Sequence, residues 1–127
     1  MPETPPADRR YLKTHEWHRL TDDGHVEIGI SAAAVDELTD ITFLEINTEG
    51  EALSAGDAMG EIESVKATSD LYCGVAGTVV EVNEAAVERP ELINEDCYGA
   101  GWIARVKPDD PAELDSLLDA AAYAELI

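Results

Sequence analysis

Short apolar runs, each closed by turn residues, follow one another from Trp17 onward. Asp22-Asp23-Gly24 separates Glu16–Leu20 from Val26–Ile30 and predicts a hairpin. Val26, Ile28 and Ile30 share one face of its second strand. Ser31 is placed to cap a short helix over Ala32–Leu38. Further strands are expected at Ile41–Ile46, Ala58–Glu63, Thr68–Tyr72 and Thr78–Val82, the last rich in β-branched residues. Asn47–Gly50 and Ser54–Asp57 read as turns. A helical turn over Glu84–Arg89 is expected to stop at Pro90. A loop over Asn94–Gly101 then leads to a final strand, Trp102–Val106, closed by Pro108.

After Asp110 the period changes. Asp110 can cap a helix, Pro111 suits its first position, and Glu113 stands where a capping box wants an acid. Leu114, Leu117, Leu118, Ala121 and Ala122 recur at helical spacing. Asp119 is expected to start a second short helix that docks Tyr123 and Leu126. Many short strands at regular turn spacing favour a small β-sandwich or barrel with peripheral helices.

The chain has 127 residues, enough for one domain that buries roughly two-thirds of its unfolded surface. The first ten, MPETPPADRR, have no apolar stretch and carry acids among prolines; residues 1–10 read as an unstructured tail and 11–127 as one domain. Lys and Arg number 8 against 28 Asp and Glu, a net charge of −20. Such a surface repels phosphate backbones and anionic headgroups, which argues against nucleic-acid and membrane partners. No apolar run is long enough to span a bilayer. These features place the protein in the cytoplasm, and Cys73 and Cys97 read as free thiols there.

Familiar catalytic patterns are missing: the sequence has no Gly-rich phosphate loop and no zinc-type cysteine cluster. His15 and His18 would face opposite sides of a strand, so they do not make a shared metal site. A hydrolase built on Cys73 needs a lowered thiol pKa, which an acidic surface opposes. Of three lysines, Lys13 follows the tail and Lys107 precedes Pro108. Lys66 stands in a tight turn between two strands, flanked by Ser64, Ala67, Thr68 and Ser69. Ala55-Gly56 and Ala76-Gly77 precede strand segments on either side of it, a weak internal echo. Spacing alone leaves Lys66 open to reading as a solvated turn lysine.

The run Glu63-Ser64-Val65-Lys66-Ala67-Thr68-Ser69-Asp70-Leu71-Tyr72 resembles the lipoylation hairpin of glycine cleavage system H proteins. His15-Glu16-Trp17, Val26–Ile30, Asp40–Glu45, Gly77–Asn83, Pro90–Asn94, Tyr98–Trp102 and Pro111–Leu114 are similar to that family in order and spacing. The resemblance spans Tyr11 to Leu126. Cys73 stands where the family usually has Ser or Ala, Cys97 where Pro is usual, and Thr39 replaces a common Gly.

The resemblance implies a mainly β barrel–sandwich hybrid of two small antiparallel sheets with peripheral and C-terminal helices. It implies lipoic acid in amide linkage to Lys66, and a carrier rather than an enzyme. It implies three partner enzymes: a pyridoxal-phosphate glycine decarboxylase, a tetrahydrofolate-dependent aminomethyltransferase and a dihydrolipoyl dehydrogenase. A lipoate ligase or lipoyl transferase would attach the arm. Thr14, Glu16 and Asp70 match the residues that shelter the loaded arm in a cleft. An arm of this kind reaches on the order of 10–15 Å. A monomer is expected. Lipoyl domains of 2-oxoacid dehydrogenases lack the Tyr98–Trp102 and C-terminal blocks, and biotin carriers place Met where this chain has Val65 and Ala67. A lipoate-relay protein on the same scaffold stays open at this point.

Overall fold

A computed structural model describes residues 5–127. Strand β1 (Arg10–Tyr11) pairs antiparallel with β2 (Glu16–Leu20), Tyr11 opposite Trp17. The Asp22-Asp23-Gly24 turn, with Gly24 at φ +85°, returns the chain as β3 (Val26–Ile30). All five residues of β3 are buried, because a sheet neighbour lies on each side and the core beneath. The boundary drawn at residue 11 falls inside β1. Residues 1–4 of the expected tail lie outside the described residues, whereas Arg9 stacks over the Trp17 ring at 4.6 Å and Arg10 pairs with His18.

Ser31 caps α1 (Ala32–Leu38) through its side chain, as expected. The remaining elements are β4 (Ile41–Ile46), β5 (Ala52–Leu53), β6 (Ala58–Ser64), β7 (Thr68–Tyr72), β8 (Gly77–Val82), α2 (Glu84–Glu88), α3 (Glu91–Glu95), β9 (Ala104–Pro108) and α4 (Ala120–Ala124). One sheet has the order β1-β2-β3-β9-β8-β5 and the other β4-β6-β7, all pairs antiparallel. The fold is the mainly β barrel–sandwich hybrid. Ile28, Leu44, Met59, Ile62, Leu71, Val79, Ile93 and Val106 form the core between the sheets. Tyr11, Trp17 and Tyr123 form a second, aromatic cluster.

Three expectations need correction. Pro90 stops α2 as expected but also opens α3, which takes in the first two residues of the loop expected over Asn94–Gly101: its φ of −56° suits a first turn, where a missing N–H costs nothing. Ile93 is thereby buried, and Asn94 latches α3 to the chain before β4, accepting from Ile41 N at 3.0 Å and donating to Thr39 O at 2.7 Å. The last strand starts at Ala104, not Trp102, and runs through Pro108. Trp102 N–H is drawn instead into a turn on Gly99 O at 3.0 Å.

The C-terminal periodicity is broken as well. Pro111–Ser116 forms a 3-10 segment capped by Asp110, and Glu113 makes no capping box; its carboxylate accepts from Ala76 N at 2.8 Å. Leu118 leaves helical geometry to extend the sheet, exchanging backbone bonds with Tyr11 at 2.8 and 3.0 Å. Asp119 then caps α4, which buries Tyr123 and leaves Leu126 58% exposed. No described helix is long and apolar enough to cross a membrane.

Candidate functional site

The β6–β7 connection is a turn with a rigid backbone and free side chains. Ser64 N–H donates to Ala67 O at 2.8 Å, closing the turn. The Ser64 hydroxyl accepts from the backbone nitrogens of Lys66 and Ala67, both at 3.1 Å. Val65 N–H donates to Asp40 O at 3.1 Å and ties the turn to the corner before β4. Lys66 itself is exposed, as are Val65, Ala67 and Thr68. A small hydroxyl before the lysine is therefore what fixes the loop, and the lysine is the one long side chain it presents.

Below the turn, Thr14, Glu16 and Asp70 line one small cavity of about 60 Å³ between the start of β2, α1 and β7. Its floor is apolar, from Ile30, Leu38, Ile62 and Leu71. Asp70 lies four residues beyond Lys66, on the order of 10 Å along the strand. The three residues expected at the cleft thus stand together, in different states. Asp70 is exposed, with Oδ2 3.5 Å from the Tyr72 hydroxyl. Glu16 is buried, with 1% exposure. Its Oε1 accepts from the Thr14 hydroxyl, and its Oε2 accepts from Tyr72 N at 2.8 Å. Burial pushes the Glu16 carboxyl above its ordinary pKa, and those two hydrogen bonds oppose the shift.

Sequence reasoning weighed His15 as a metal ligand and as part of the His15-Glu16-Trp17 block, without naming it a cleft residue. It lines the cavity too, with its backbone in the left-handed region at φ +87°. Its Nδ1 is 2.5 Å from the Tyr123 hydroxyl, across 108 residues of chain, and no local pattern signals that pairing. His18 points into the interior, away from His15. Burial pushes it down to about 4, and its Nε2 accepts from Gly74 N at 2.9 Å. Among the described residues no group of His, Cys, Asp and Glu could hold a metal.

Cys73 is a free thiol, as expected. Cys73 is fully buried, donates to Val75 O at 3.1 Å, and has its pKa raised by that burial. A buried, protonated thiol is a poor nucleophile, so the geometry gives no support to a hydrolase built on it.

A family model described as glycine cleavage H-protein matches residues 9–127. Glycine cleavage system H protein 2 of Pseudomonas putida is 52% identical over 122 residues, covering 96% of this chain and 95% of that protein. The glycine cleavage system H protein of Chromobacterium violaceum is 48% identical, with the same 96% and 95% coverage. A crystal structure of a glycine cleavage system H protein from Mycobacterium marinum superposes with a TM-score of 0.86 at 43% identity, covering 94% of this chain and 96% of that one.

Proposed function

The chain belongs to the glycine cleavage H-protein family, lipoyl carriers of that system, and on this premise we propose that Lys66 is its lipoyl attachment site. Lipoic acid joined to Lys66 by an amide supplies a dithiolane at the end of a long arm. The arm carries the aminomethyl group of glycine from the pyridoxal-phosphate glycine decarboxylase to the tetrahydrofolate-dependent aminomethyltransferase, and dihydrolipoyl dehydrogenase returns the dithiol to the disulfide. A lipoate ligase or lipoyl transferase installs it. The protein is a carrier and not an enzyme, acting as a cytoplasmic monomer.

The observation that carries this reading is the Lys66 turn: an exposed amine on a backbone fixed by Ser64 and Asp40. A modifying enzyme can enclose such a lysine, and a rigid tip holds the arm clear of the scaffold. The cleft suits the arm's chemistry. Its apolar floor matches a hydrocarbon chain, and the exposed Asp70 carboxylate matches a protonated amine at the chain's end, with Glu16 bracing the wall behind it. Tethering raises the local concentration of the carried group at each docked partner.

Intact mass before and after treatment with a lipoate ligase, with the site mapped by fragmentation, tests the reading. One lipoyl addition on Lys66 is expected, and none on the Lys66→Arg variant. Lipoyl mass on Lys13 or Lys107, or glycine decarboxylation sustained by Lys66→Arg with the partner enzymes, would overturn it.

A further inference from the structure

A hydrogen-bonded chain runs along one edge of the cleft. The Ser31 hydroxyl, which caps α1 by accepting from Ala34 N at 3.3 Å, lies 2.6 Å from the Tyr123 hydroxyl. That same hydroxyl is 2.5 Å from His15 Nδ1, and His15 Nε2 is 3.6 Å from a Glu37 carboxylate oxygen. Tyr123 is fully buried and stacked on Tyr11, ring centroids 4.5 Å apart and planes within 2°. His15, Ala34 and Glu37 all line the cavity. The chain therefore spans its two walls, one formed by the segment leading into β2 and the other by α1.

The direction of the chain follows from what each atom can give. In the neutral ring, a Tyr123 O–H that donates to Nδ1 leaves the imidazole proton on Nε2, aimed at Glu37. Ser31 then donates to the Tyr123 oxygen while still accepting from Ala34 N. The reverse direction would set an Nε2 lone pair against a carboxylate. The His15 backbone, at positive φ, is held by Leu12 O and Ser31 N–H, each at 2.9 Å, and its ring is held by the Tyr123 hydroxyl.

We propose that Tyr123 is a positioning residue for the cleft: its hydroxyl locks His15 as the Nε2–H tautomer and ties the Thr14–Glu16 wall to α1. The proposal rests on the reading of this cleft as the shelter of the loaded arm. It gives the C-terminal helix, remote from Lys66 in sequence, a part in holding the cargo.

Tyr123→Phe tests it, since the stack on Tyr11 remains and one oxygen is lost. Tyr11→Phe is the control: it removes the other hydroxyl of the stack, which donates to Pro6 O at 2.7 Å away from the cleft. The first readout needs no lipoyl group. Imidazole nitrogen–proton correlation spectra should show His15 as Nε2–H in the wild type and in Tyr11→Phe, and as a mixture of tautomers in Tyr123→Phe. The second uses lipoylated, reduced protein loaded with formaldehyde and ammonium, with release on dilution followed by intact mass. Release consumes one water and returns formaldehyde, ammonium and the free thiol. It should be about fivefold faster in Tyr123→Phe, the factor that one ordinary hydrogen bond is worth, and unchanged in Tyr11→Phe. A Tyr123→Phe protein with the wild-type His15 spectrum, or with the wild-type release rate where the wild type protects its load, overturns the positioning role. A wild type that releases as fast as a loaded free dihydrolipoamide overturns the reading of the cleft instead, and the spectra then decide the hydrogen-bonded chain on their own.

Discussion

The backbone N–H of Tyr72 donates to the Glu16 carboxylate at 2.8 Å, so a buried acid on β2 holds the strand that descends from the Lys66 turn. The scaffold sheet and the hairpin sheet meet through this bond. Glutamine at position 16 can still accept from Tyr72 and remain paired with Thr14, so Glu16→Gln should fold. The folded pKa of Glu16 is raised above the ordinary 4.5. Its contribution to stability is therefore fully present below that value and is lost as pH rises through the folded pKa. Urea unfolding of Glu16→Gln and wild type should show the variant gaining on the wild type from pH 4 upward, while its loaded arm releases faster. A stability difference that does not change with pH would contradict the assignment.

Thr39 ends α1 with φ 63° and ψ −128°, a conformation that suits glycine and strains a β-branched side chain. The family's usual glycine at this position has its physical reason here. Thr39→Gly forgoes a hydroxyl bond to Leu38 O at 2.5 Å but relieves the backbone. A gain of about 1 kcal/mol is expected in chemical denaturation. No gain would mean that the hydroxyl bond and the entropy of glycine offset the strain.

His18 is fully buried and its pKa is pushed down to about 4, against 6.5 in an unfolded chain. The unfolded state binds more protons between those values, so His18 contributes stability above 6.5 that is lost as pH falls toward 4. The loss is on the order of 3 kcal/mol. Protonation also ends the ability of Nε2 to accept from Gly74 N. His18→Gln keeps an acceptor and removes the titration. The difference in unfolding free energy between the two proteins should shrink across this window, while relief of the shared net charge of −20 affects both alike.

Lys66→Arg alters an exposed side chain whose turn is held by Ser64 and Asp40, not by the lysine. Its thermal midpoint should match the wild type, with a change in stability within about 0.5 kcal/mol. A larger loss would mean that the lysine supports the turn.

Seven of the nine described strands and the first helix were legible because their signals are local: alternation, turn residues, and Ser31 as a cap; β1 and β5, two residues each, are too short to carry a pattern. The C-terminal segment was not, because Tyr11 recruits the backbone of Leu118 and overrides a helical period. Pro90 was read correctly as a stop, but α3 was missed because a residue that ends one helix can open the next at the same φ. At the site, Lys66, Thr14, Glu16 and Asp70 were reached by resemblance; composition and spacing left Lys66 an ordinary turn lysine. That Glu16 is an internal tie, while Asp70 stays open, depends on how β2 packs against β7. The Tyr123–His15 bond joins residues 108 positions apart, and neither residue carries a mark of it in its own neighbourhood.

Strand β9 lies between β3 and β8, with Val106 opposite both Val26 and Val79. During synthesis that strand leaves the ribosome after every strand it must join. Until it arrives, β3 and β8 each present an open edge, the kind of edge that invites stray pairing. The sheet that bears Lys66 uses β4, β6 and β7, which lie close together in the chain with only β5 of the other sheet between them. The nascent protein can therefore form the Lys66 hairpin early, while the larger sheet closes only after β9 has emerged.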